Sequence, residues 1–239
     1  MSASAAEPLP RSVLEALGRY DTPTICNALE LVVPERRLTG YTVRPLVCPF
    51  PDLPPIVGYA RTATIRSTTP PPRTKQEERE FRMAYYTYVG SGPAPRISVI
   101  QDLDGAEAGY GSFWGEVHSA VHKALGCQGV ITDGSVRDIP QFAEGFQALA
   151  GMIGPSHAHV HLTGFSEEVR IAGMSVRSGD LVHADRHGAV VIPVEVAAKV
   201  PEAAELCNRR EAPILAVARS PDFTIEKLRA ALASGDEIH

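Results

Sequence analysis

The stretch GEVHSAVHKALGCQGVITDGSVRD, residues 115–138, decides the fold, because a helical repeat in it passes directly into an apolar strand. Its first half has apolar residues at the i, i+3, i+4, i+7 and i+8 spacing of an amphipathic helix. These residues are Val117, Ala120, Val121, Ala124 and Leu125. Gly126 ends the predicted helix, and residues 129–133 then form a short strand. Strand, helix and strand in this order predict an α/β sheet, in which ligands gather where strands end and helices begin.

Arg137 and Asp138 are opposite charges placed side by side after this strand. Neighbours in an extended segment point to opposite sides, so each charge is expected to serve another partner. The planar fork of Arg137 suits a substrate carboxylate or an enolate oxygen, with an ordinary salt bridge as the alternative. Asp138 precedes Ile139-Pro140, so its carboxylate is predicted either to cap a helix N-terminus or to bind a ligand.

Glu116 lies in the first turn of the predicted helix. Unpaired N–H groups and the helix dipole favour an anion at that place, which is either Glu116 itself, as a cap, or a bound ligand. The preceding GYGSFWG, residues 109–115, supplies glycines that let the backbone approach a small anion closely. It lacks the glycine pattern of a nucleotide site.

The rest of the chain alternates between helical and strand patterns. Helices are predicted in RSVLEALGRY, in PTICNALELV with Thr22 as N-cap, and in TKQEEREFRMAYYTYV. GYARTATIRS is expected to be a half-buried strand, and RISVIQDLD a buried strand that ends in acids. Beyond Gly151 several short strands predict a second sheet layer. Two helices follow, with Thr224 capping the last, and Pro201 and Pro213 are expected to start, kink or end segments.

Histidines offer a rival site. If HAHVH is a strand, His157, His159 and His161 point to one face and form a candidate zinc site. The outer two are about 13 to 14 Å apart in a straight strand, which favours a polar surface or interface strand instead. His118 and His122, four residues apart, are predicted to form a polar helix face.

The composition limits the classes of function that the chain can have. The 239 residues are 44% apolar, enough for a substantial core, and the net charge of −5 argues against a nucleic-acid partner. Four widely spaced cysteines suit free thiols in a reducing compartment. No basic-then-apolar leader and no run of 18 apolar residues is visible, so a cytoplasmic protein without membrane contact is expected.

Three stretches together resemble the RraA-like family, which includes 4-hydroxy-4-methyl-2-oxoglutarate and 4-carboxy-4-hydroxy-2-oxoadipate aldolases and regulators of ribonuclease E. They are PIVGYARTATIRS at 55–67, WGEVHSAVHKALGCQGVITDGSVRDIPQF at 114–142 and VRSGDLVHADRHGAVVIP at 176–193. The most specific match is an acidic residue, twenty intervening positions and Arg-Asp, here Glu116 with Arg137-Asp138.

The resemblance implies a β/β/α three-layer sandwich like the swivelling phosphohistidine domain, with helices at both ends. One domain is expected over residues 1–239, with helices at 1–38, the sandwich at 39–193 and helices at 194–239. Homotrimers or homohexamers with sites between subunits are implied as well.

The resemblance also implies a metal-dependent aldolase and oxaloacetate decarboxylase that works through a pyruvate enolate. Asp138 would bind Mg²⁺ or Mn²⁺, and Arg137 the small oxo-acid substrate. Glu116 would move the proton, and Glu211 is the candidate for a glutamate contributed by a neighbouring subunit. Gly115, Glu116, Val117 and His118 would hold the substrate.

Two other functions stay open at this stage. One is a non-catalytic regulator that binds a protein partner such as ribonuclease E. The other is a metal-dependent hydrolase or dehydratase built on the histidine strand.

Overall fold

The computed structural model describes residues 8–238, and the first seven residues, where no export leader is expected, lie outside them. The six helices of these residues are α1 (Arg11–Leu17), α2 (Thr22–Val32), α3 (Lys75–Gly90), α4 (Glu116–Ala124), α5 (Val200–Ala218) and α6 (Ile225–Asp236). The strands are β1 (Ile56–Arg66), β2 (Arg96–Asp102), β3 (Ser112–Trp114), β4 (Cys127–Thr132), β5 (Ser135–Val136), β6 (Gln147–Leu149), β7 (Met152–Ile153), β8 (His161–Phe165), β9 (Val169–Ile171), β10 (Met174–Val176), β11 (Leu181–Asp185) and β12 (Gly188–Ile192). The fold is an α/β sandwich with helices at both ends, as predicted.

The largest sheet has the strand order β12-β11-β1-β2-β4-β6, with β8 also paired to β1. Strands β1, β2, β4 and β6 run parallel, while β8, β11 and β12 are antiparallel to their neighbours. Helix α3 joins β1 to β2, and α4 precedes β4. The predicted strand–helix–strand unit is therefore confirmed.

Strand β1 is the centre of this sheet. Its first half pairs with β11, its second half with β8, and its other edge with β2. Hydrophobic clusters also pack on both of its faces, so nine of its eleven residues are buried, all but Thr64 and Arg66. The prediction of a half-buried strand was wrong, since a central strand needs apolar or hydrogen-bonded residues on both faces.

Two smaller sheets complete the β structure. Strands β3, β5 and β7 form a parallel sheet, and β9 and β10 form an antiparallel ribbon. The predicted β structure after Gly151 is present in β7 to β12, but β8, β11 and β12 join the largest sheet, so these strands do not form a separate second layer. The segments that contain Gly115 and Arg137, two predicted site residues, leave strands of the parallel sheet.

The terminal helices differ from expectation in two details. Asp21, rather than Thr22, caps α2: its carboxylate accepts a hydrogen bond from the Thr24 N–H at 2.9 Å. Pro201 lies in the first turn of α5, as expected, but Pro213 lies inside a continuous helix. Packing of α5 against α2 and α6 offsets the hydrogen bond that this proline removes. Thr224 caps α6 through the Lys227 N–H, as predicted.

The four cysteines are free, as the spacing predicted. Within residues 8–238, no helix has the length and apolar character that a membrane crossing requires.

Candidate functional site

The candidate site lies where two parallel strands of the small sheet end. Gly115 and Glu116 follow β3, and Arg137 and Asp138 follow β5, which is the neighbouring strand. The two segments are joined directly, because the Arg137 N–H donates a hydrogen bond to the Trp114 carbonyl at 2.9 Å. Carboxyl ends of parallel strands meet at one sheet edge. The sequence reasoning therefore placed Gly115, Glu116, Arg137 and Asp138 together correctly.

Asp138 has a left-handed backbone, with φ 54° and ψ 39°. This conformation turns its carboxylate back, so that Oδ2 lies 3.7 Å from Nε of Arg137. The expectation that the two charges point apart was wrong, because it assumed an extended backbone. Asp138 also does not cap the 3₁₀ turn at Ile139–Gln141 with its side chain. Of its two predicted roles, capping is therefore excluded.

Gly115 makes room for this carboxylate at the start of α4. A methyl group added at Gly115 would lie 2.5 Å from Oδ2 of Asp138 and 3.3 Å from Cγ of Arg137. The φ angle of Gly115 is −168°, which any residue adopts. Glycine is therefore required at this position by the close contact with Asp138 and not by the backbone conformation. The missing side chain at 115 is thus what lets the acid approach the helix N-terminus.

Gly115→Ala is expected to displace the Asp138 carboxylate and lower any activity that uses it by at least about 10-fold, because a misplacement of 1 Å costs about that much or more. Gly18→Ala is the matched control, since an added methyl there meets nothing closer than 3.6 Å. Steady-state kinetics and thermal unfolding of both variants measure the effect. Full activity of Gly115→Ala would show that the position of Asp138 is unimportant.

Glu116 begins α4 and is exposed. No hydrogen bond of its side chain occurs among the residues that the structure describes, and Gly115 at the N-cap position has no side chain to offer. The helix N-terminus therefore faces solvent beside the carboxylates of Glu116 and Asp138 and the guanidinium of Arg137. It is open to a ligand rather than closed by a cap.

The inward face of α4 is polar, contrary to prediction. Ser119 and His122 are fully buried, whereas Val117 is 68% exposed and Ala120 and Ala124 are also exposed. The buried hydroxyl of Ser119 accepts from the Ala143 N–H and donates to the Glu116 carbonyl, at 3.0 and 2.9 Å. Hydrogen-bond partners inside the fold reverse the expected orientation, because a satisfied polar group is not costly to bury. The same contacts tie α4 to the segment after Asp138.

Behind the site lies a cluster of aromatic rings that sequence reasoning missed. His118 stacks on Phe113 with ring centroids 4.0 Å apart, and His122 lies 4.5 Å from the Trp114 ring. Tyr85 and Tyr86 of α3 reach the two histidines through their hydroxyl groups. The aromatic residues at the end of the predicted helix TKQEEREFRMAYYTYV, residues 74–89, were the available signal. His118 and His122 are thus not a solvated polar face.

Burial keeps both histidines neutral. It lowers the pKa of His118 to about 3, and the positive charges of Arg82 and Arg137 act in the same direction. Burial also lowers the pKa of His122 to about 4, although its hydrogen bond to the His118 carbonyl opposes the shift. Since Arg82 of α3 acts on His118 together with Arg137, it is a second guanidinium on this side of the molecule.

The His122 shift predicts a pH-dependent stability difference. A histidine whose pKa is lowered in the folded state contributes its full stabilisation of the fold above about pH 6.5, which is its pKa in the unfolded chain. This contribution is lost as the pH falls. The stability of wild type relative to His122→Gln is expected to fall by about 1.4 kcal/mol per pH unit between about pH 6.5 and 4. Urea unfolding at several pH values measures it. A difference that does not change with pH would contradict the neutral, buried state of His122.

The Asp138 carboxylate fits a hard divalent cation. Its side chain is 39% exposed, and no hydrogen bond to its carboxylate oxygens occurs within residues 8–238. No group of three or more histidine, cysteine or acidic side chains suited to a metal occurs in that part of the chain. One free carboxylate with solvent access is what Mg²⁺ uses when it keeps most of its water ligands.

The HAHVH segment does not form the predicted strand. Only His161 lies in β8, while His157 and His159 belong to a turn with Ala158 at φ 44°. Nδ1 of His157 lies 2.7 Å from the Ala158 carbonyl, and Nδ1 of His161 lies 2.8 Å from the His159 carbonyl. A turn has no period of two, so the three imidazoles do not share a face. The proposed zinc site, and the hydrolase built on it, are wrong.

Glu211 is not brought to the site within one chain. It is exposed on α5, which packs against α2 and α6, whereas Glu116 begins α4.

Two clefts of about 730 and 520 Å³ lie away from the candidate site, one beside the segment 36–43 and the other beside α1. Neither is lined by Arg137 or Asp138. In a single chain the site is thus an open surface edge.

A family model described as RraA-like, Aldolase/RraA, matches residues 22–191. This range includes Gly115, Glu116, Arg137 and Asp138. No curated protein matches the chain significantly in sequence.

Solved structures share the fold at low sequence identity. An uncharacterized protein from Pseudomonas syringae pv. tomato str. DC3000 is similar over 93% of this chain and 99% of its own, with a TM-score of 0.68 and 22% identity. Streptomyces coelicolor RraAS2, described as an unusual member of the RNase ES inhibitor RraA protein family, is similar over 86% and 96%, with a TM-score of 0.66 and 21% identity. The RNA-processing inhibitor RraA from Thermus thermophilis is similar over 69% and 90%, with a TM-score of 0.51 and 17% identity. At such identities the likeness shows the fold alone.

Proposed function

The chain belongs to the RraA-like family, and on that premise we propose that it is a divalent-metal-dependent carbon–carbon lyase. The proposed reaction is that of a class II pyruvate aldolase, such as 4-hydroxy-4-methyl-2-oxoglutarate aldolase, with oxaloacetate decarboxylase activity. One observation carries the proposal. Arg137 and Asp138 lie together against Gly115, at an uncapped helix N-terminus that is open to a ligand.

Arg137 is proposed to bind the carboxylate or keto oxygen of the oxo acid. Its side chain is 36% exposed, and its Nε lies 3.7 Å from Oδ2 of Asp138, too far for a hydrogen bond. A planar fork with free donors matches a carboxylate in two parallel hydrogen bonds. The N–H groups at the start of α4, from Glu116, Val117 and His118, favour an anionic group of the same ligand.

Asp138 is proposed to hold Mg²⁺, or Mn²⁺, through its carboxylate. A cation bound there supplies a Lewis acid that stabilises negative charge on the substrate oxygens. Gly115 keeps the carboxylate beside the helix, and the left-handed backbone of Asp138 aims it there.

In the aldol cleavage, the electron pair of the broken carbon–carbon bond passes to the oxo-acid fragment as an enolate. The hydroxyl proton of the other fragment leaves, so that this fragment departs as a carbonyl compound. Glu116 is proposed to accept that proton, and a proton returned to the enolate carbon gives pyruvate. Arg137 stabilises the enolate oxygen, and the positioned acid–base group contributes about 10²- to 10⁴-fold. With oxaloacetate, the departing fragment is carbon dioxide.

Pyruvate release from a panel of oxo acids tests this function. The purified protein is incubated with Mg²⁺ and oxaloacetate, or with 4-hydroxy-4-methyl-2-oxoglutarate, before and after EDTA. Turnover that disappears with EDTA and returns with Mg²⁺ supports a metal-dependent lyase. Absence of pyruvate from every oxo acid of the panel would reject it.

We propose a homotrimer or homohexamer as the active form. The site is open in one chain, and Val117 next to it is 68% exposed. Glu211 on α5 reaches such a site only from a neighbouring subunit. A sedimentation mass of three or six chains supports this assembly, and a monomer that retains full turnover rejects it.

A regulator that binds a protein partner is the second candidate function. Two of the similar structures are described as inhibitors of RNA processing or of RNase ES. A regulator needs no metal, so Asp138→Asn would inhibit a ribonuclease E preparation as well as wild type does. Inhibition by both proteins, with no pyruvate formed, would favour this function over the lyase.

A further inference from the structure

Asp102, the last residue of β2, joins two loops through hydrogen bonds. It is 3% exposed. Its Oδ2 accepts a hydrogen bond from the Gly109 N–H at 2.8 Å, and its Oδ1 accepts one from the Asp104 N–H at 3.0 Å. The N–H of Asp102 donates to Oδ1 of Asp133 at 2.7 Å. Asp102 therefore ties the loop after β2 to the residue that follows β4.

The loop after β2 leads to the candidate site. It runs through Gly109 into β3, and Gly115 and Glu116 follow that strand directly. A methyl group added at Gly109 would lie 2.9 Å from Met152 of β7, and the φ angle of +92° there suits glycine. Gly109 is thus fixed between the carboxylate of Asp102 and the small sheet from which the site segments leave.

The chain on the other side of this tie carries the rest of the site. Asp133 directly follows β4, and only residues 134–136 separate it from Arg137 and Asp138. A displacement of Asp133 is therefore passed to Arg137 and Asp138 over a short length of chain. Both parts of the candidate site thus continue from loops that meet at Asp102.

The charge of Asp102 matters for this tie. A carboxylate accepts two N–H groups at once, whereas an asparagine side chain has one acceptor oxygen and would turn its NH₂ group towards the other N–H. Burial raises the pKa of the Asp102 carboxyl, and the hydrogen bonds from Gly109 and Asp104 oppose this rise. A buried N–H without an acceptor is costly, so asparagine at this position is expected to release one of the two N–H groups.

We infer that Asp102 is a positioning residue, which fixes the Glu116 segment and the Asp138 segment relative to each other. It is buried and acts through Gly109 and Asp133 rather than on a ligand. The consequence for turnover rests on the proposed function, in which Glu116 and Asp138 serve one substrate. A misplacement of about 1 Å between such groups costs about 10²-fold in rate.

Hydrogen exchange followed by mass spectrometry tests the tie without reference to activity. In Asp102→Asn, the amide hydrogens of residues 103–115 are expected to exchange at least about 10-fold faster than in wild type, since one charge-assisted hydrogen bond to this loop is lost. Exchange at the wild-type rate in this segment would overturn the inference.

Asp185→Asn is the matched control. Asp185 is also a buried aspartate at the end of a strand, and its carboxylate accepts the N–H groups of Thr22 and His187 at 2.9 and 2.8 Å. These partners belong to α2 and to the turn between β11 and β12, not to the loops at the site. The control is expected to lose stability but to keep wild-type exchange in residues 103–115.

Kinetics with oxaloacetate and Mg²⁺ give the second readout. Asp102→Asn is expected to lower kcat by about 10- to 100-fold and to leave KM within about threefold, because the groups that bind the substrate are retained and only their relative position changes. Asp185→Asn is expected to keep the wild-type kcat. An equal loss of kcat in the two variants would show a merely structural role and overturn the inference.

Asp133→Ala and Asp133→Asn test the tie from its other end, also in the case that Asp102→Asn does not fold. Alanine removes the acceptor of the Asp102 N–H, whereas asparagine retains an acceptor oxygen. Faster exchange in residues 133–138 and a loss of kcat are expected for alanine, and recovery of both for asparagine. Equal behaviour of the two variants would contradict the positioning role.

Failure of the positioning role and failure of the lyase give different results. Faster exchange in the Asp102→Asn and Asp133→Ala variants, with no pyruvate from wild type, would reject the lyase and leave Asp102 a positioning residue. Pyruvate from wild type, with unchanged exchange and kcat in the variants, would reject the positioning role and leave the lyase.

Discussion

Asp138→Asn is expected to reduce metal-dependent pyruvate formation by about 10³-fold. A metal ion that acts as a Lewis acid lowers the activation free energy by several kcal/mol, and the variant loses this contribution because it lacks the carboxylate that binds the ion. Asparagine has the same shape and tolerates the left-handed backbone of residue 138, where φ is 54°. The loss is therefore expected without a change in the thermal unfolding midpoint. Initial rates over a range of Mg²⁺ concentrations measure it.

Asp52→Asn is the matched control for this variant. The Asp52 side chain is 99% exposed and lies 3.8 Å from Arg186, so its charge is solvated and remote from the metal chemistry proposed for Asp138. Wild-type rates are expected there. If Asp138→Asn retains the rate and the Mg²⁺ dependence of the wild type, the metal is bound elsewhere or is not used.

Arg137→Lys is expected to lower kcat/KM by about 10- to 150-fold, since one charge-assisted hydrogen bond is worth about 1.5 to 3 kcal/mol. An ammonium keeps the positive charge but cannot make the two parallel hydrogen bonds that a guanidinium makes with a carboxylate. The variant should lose more affinity for oxo acids than for Mg²⁺. Kinetics and Mg²⁺ titration of the same preparation separate the two effects.

Arg177→Lys serves as the control for Arg137→Lys. Arg177 pairs with Glu168 at 2.8 Å on the surface, and its side chain is 77% exposed. An exposed ion pair contributes little, so this variant should behave as wild type. Equal kinetics of Arg137→Lys and wild type would mean that the Arg137 guanidinium does not contact the substrate.

The position of the site was predictable because it follows from local patterns. Strands were predicted at RISVIQDLD, before the Glu116 segment, and at residues 129–133, before Arg137, and the glycine after the helical repeat predicted the helix end at Gly126, which has φ +84°. The short strands β3 and β5, which directly precede Gly115 and Arg137, were not predicted. Parallel strands bring such ends to one edge, so the acid, the arginine and the aspartate come together without knowledge of any long-range contact.

The surroundings of the site were not predictable in this way. The spacing of Val117 and Ala120 predicted an apolar inner face for α4, but the inner face carries Ser119 and His122. Their partners, Ala143 and Tyr85, lie 24 and 37 residues away in the sequence. Hydrogen bonds between residues so far apart in the sequence produce no periodic pattern, so helical spacing alone predicted the wrong inner face for α4.

The backbone of Asp138 is a further case. Its left-handed conformation directs the carboxylate to Gly115. An aspartate can adopt this conformation, but nothing in the neighbouring sequence predicts it. The HAHVH alternation likewise resembles a strand, yet Ala158 has φ 44° and the segment is a turn. In both cases tertiary contacts overrode the local pattern.

A crystal of the protein soaked with Mn²⁺ and pyruvate tests the central claim most directly. The account predicts anomalous density for one ion about 2.0 to 2.3 Å from a carboxylate oxygen of Asp138, with the pyruvate carboxylate or keto oxygen bound to the Arg137 guanidinium beside it. An ion bound away from Asp138, or a pyruvate that does not touch Arg137, would contradict it.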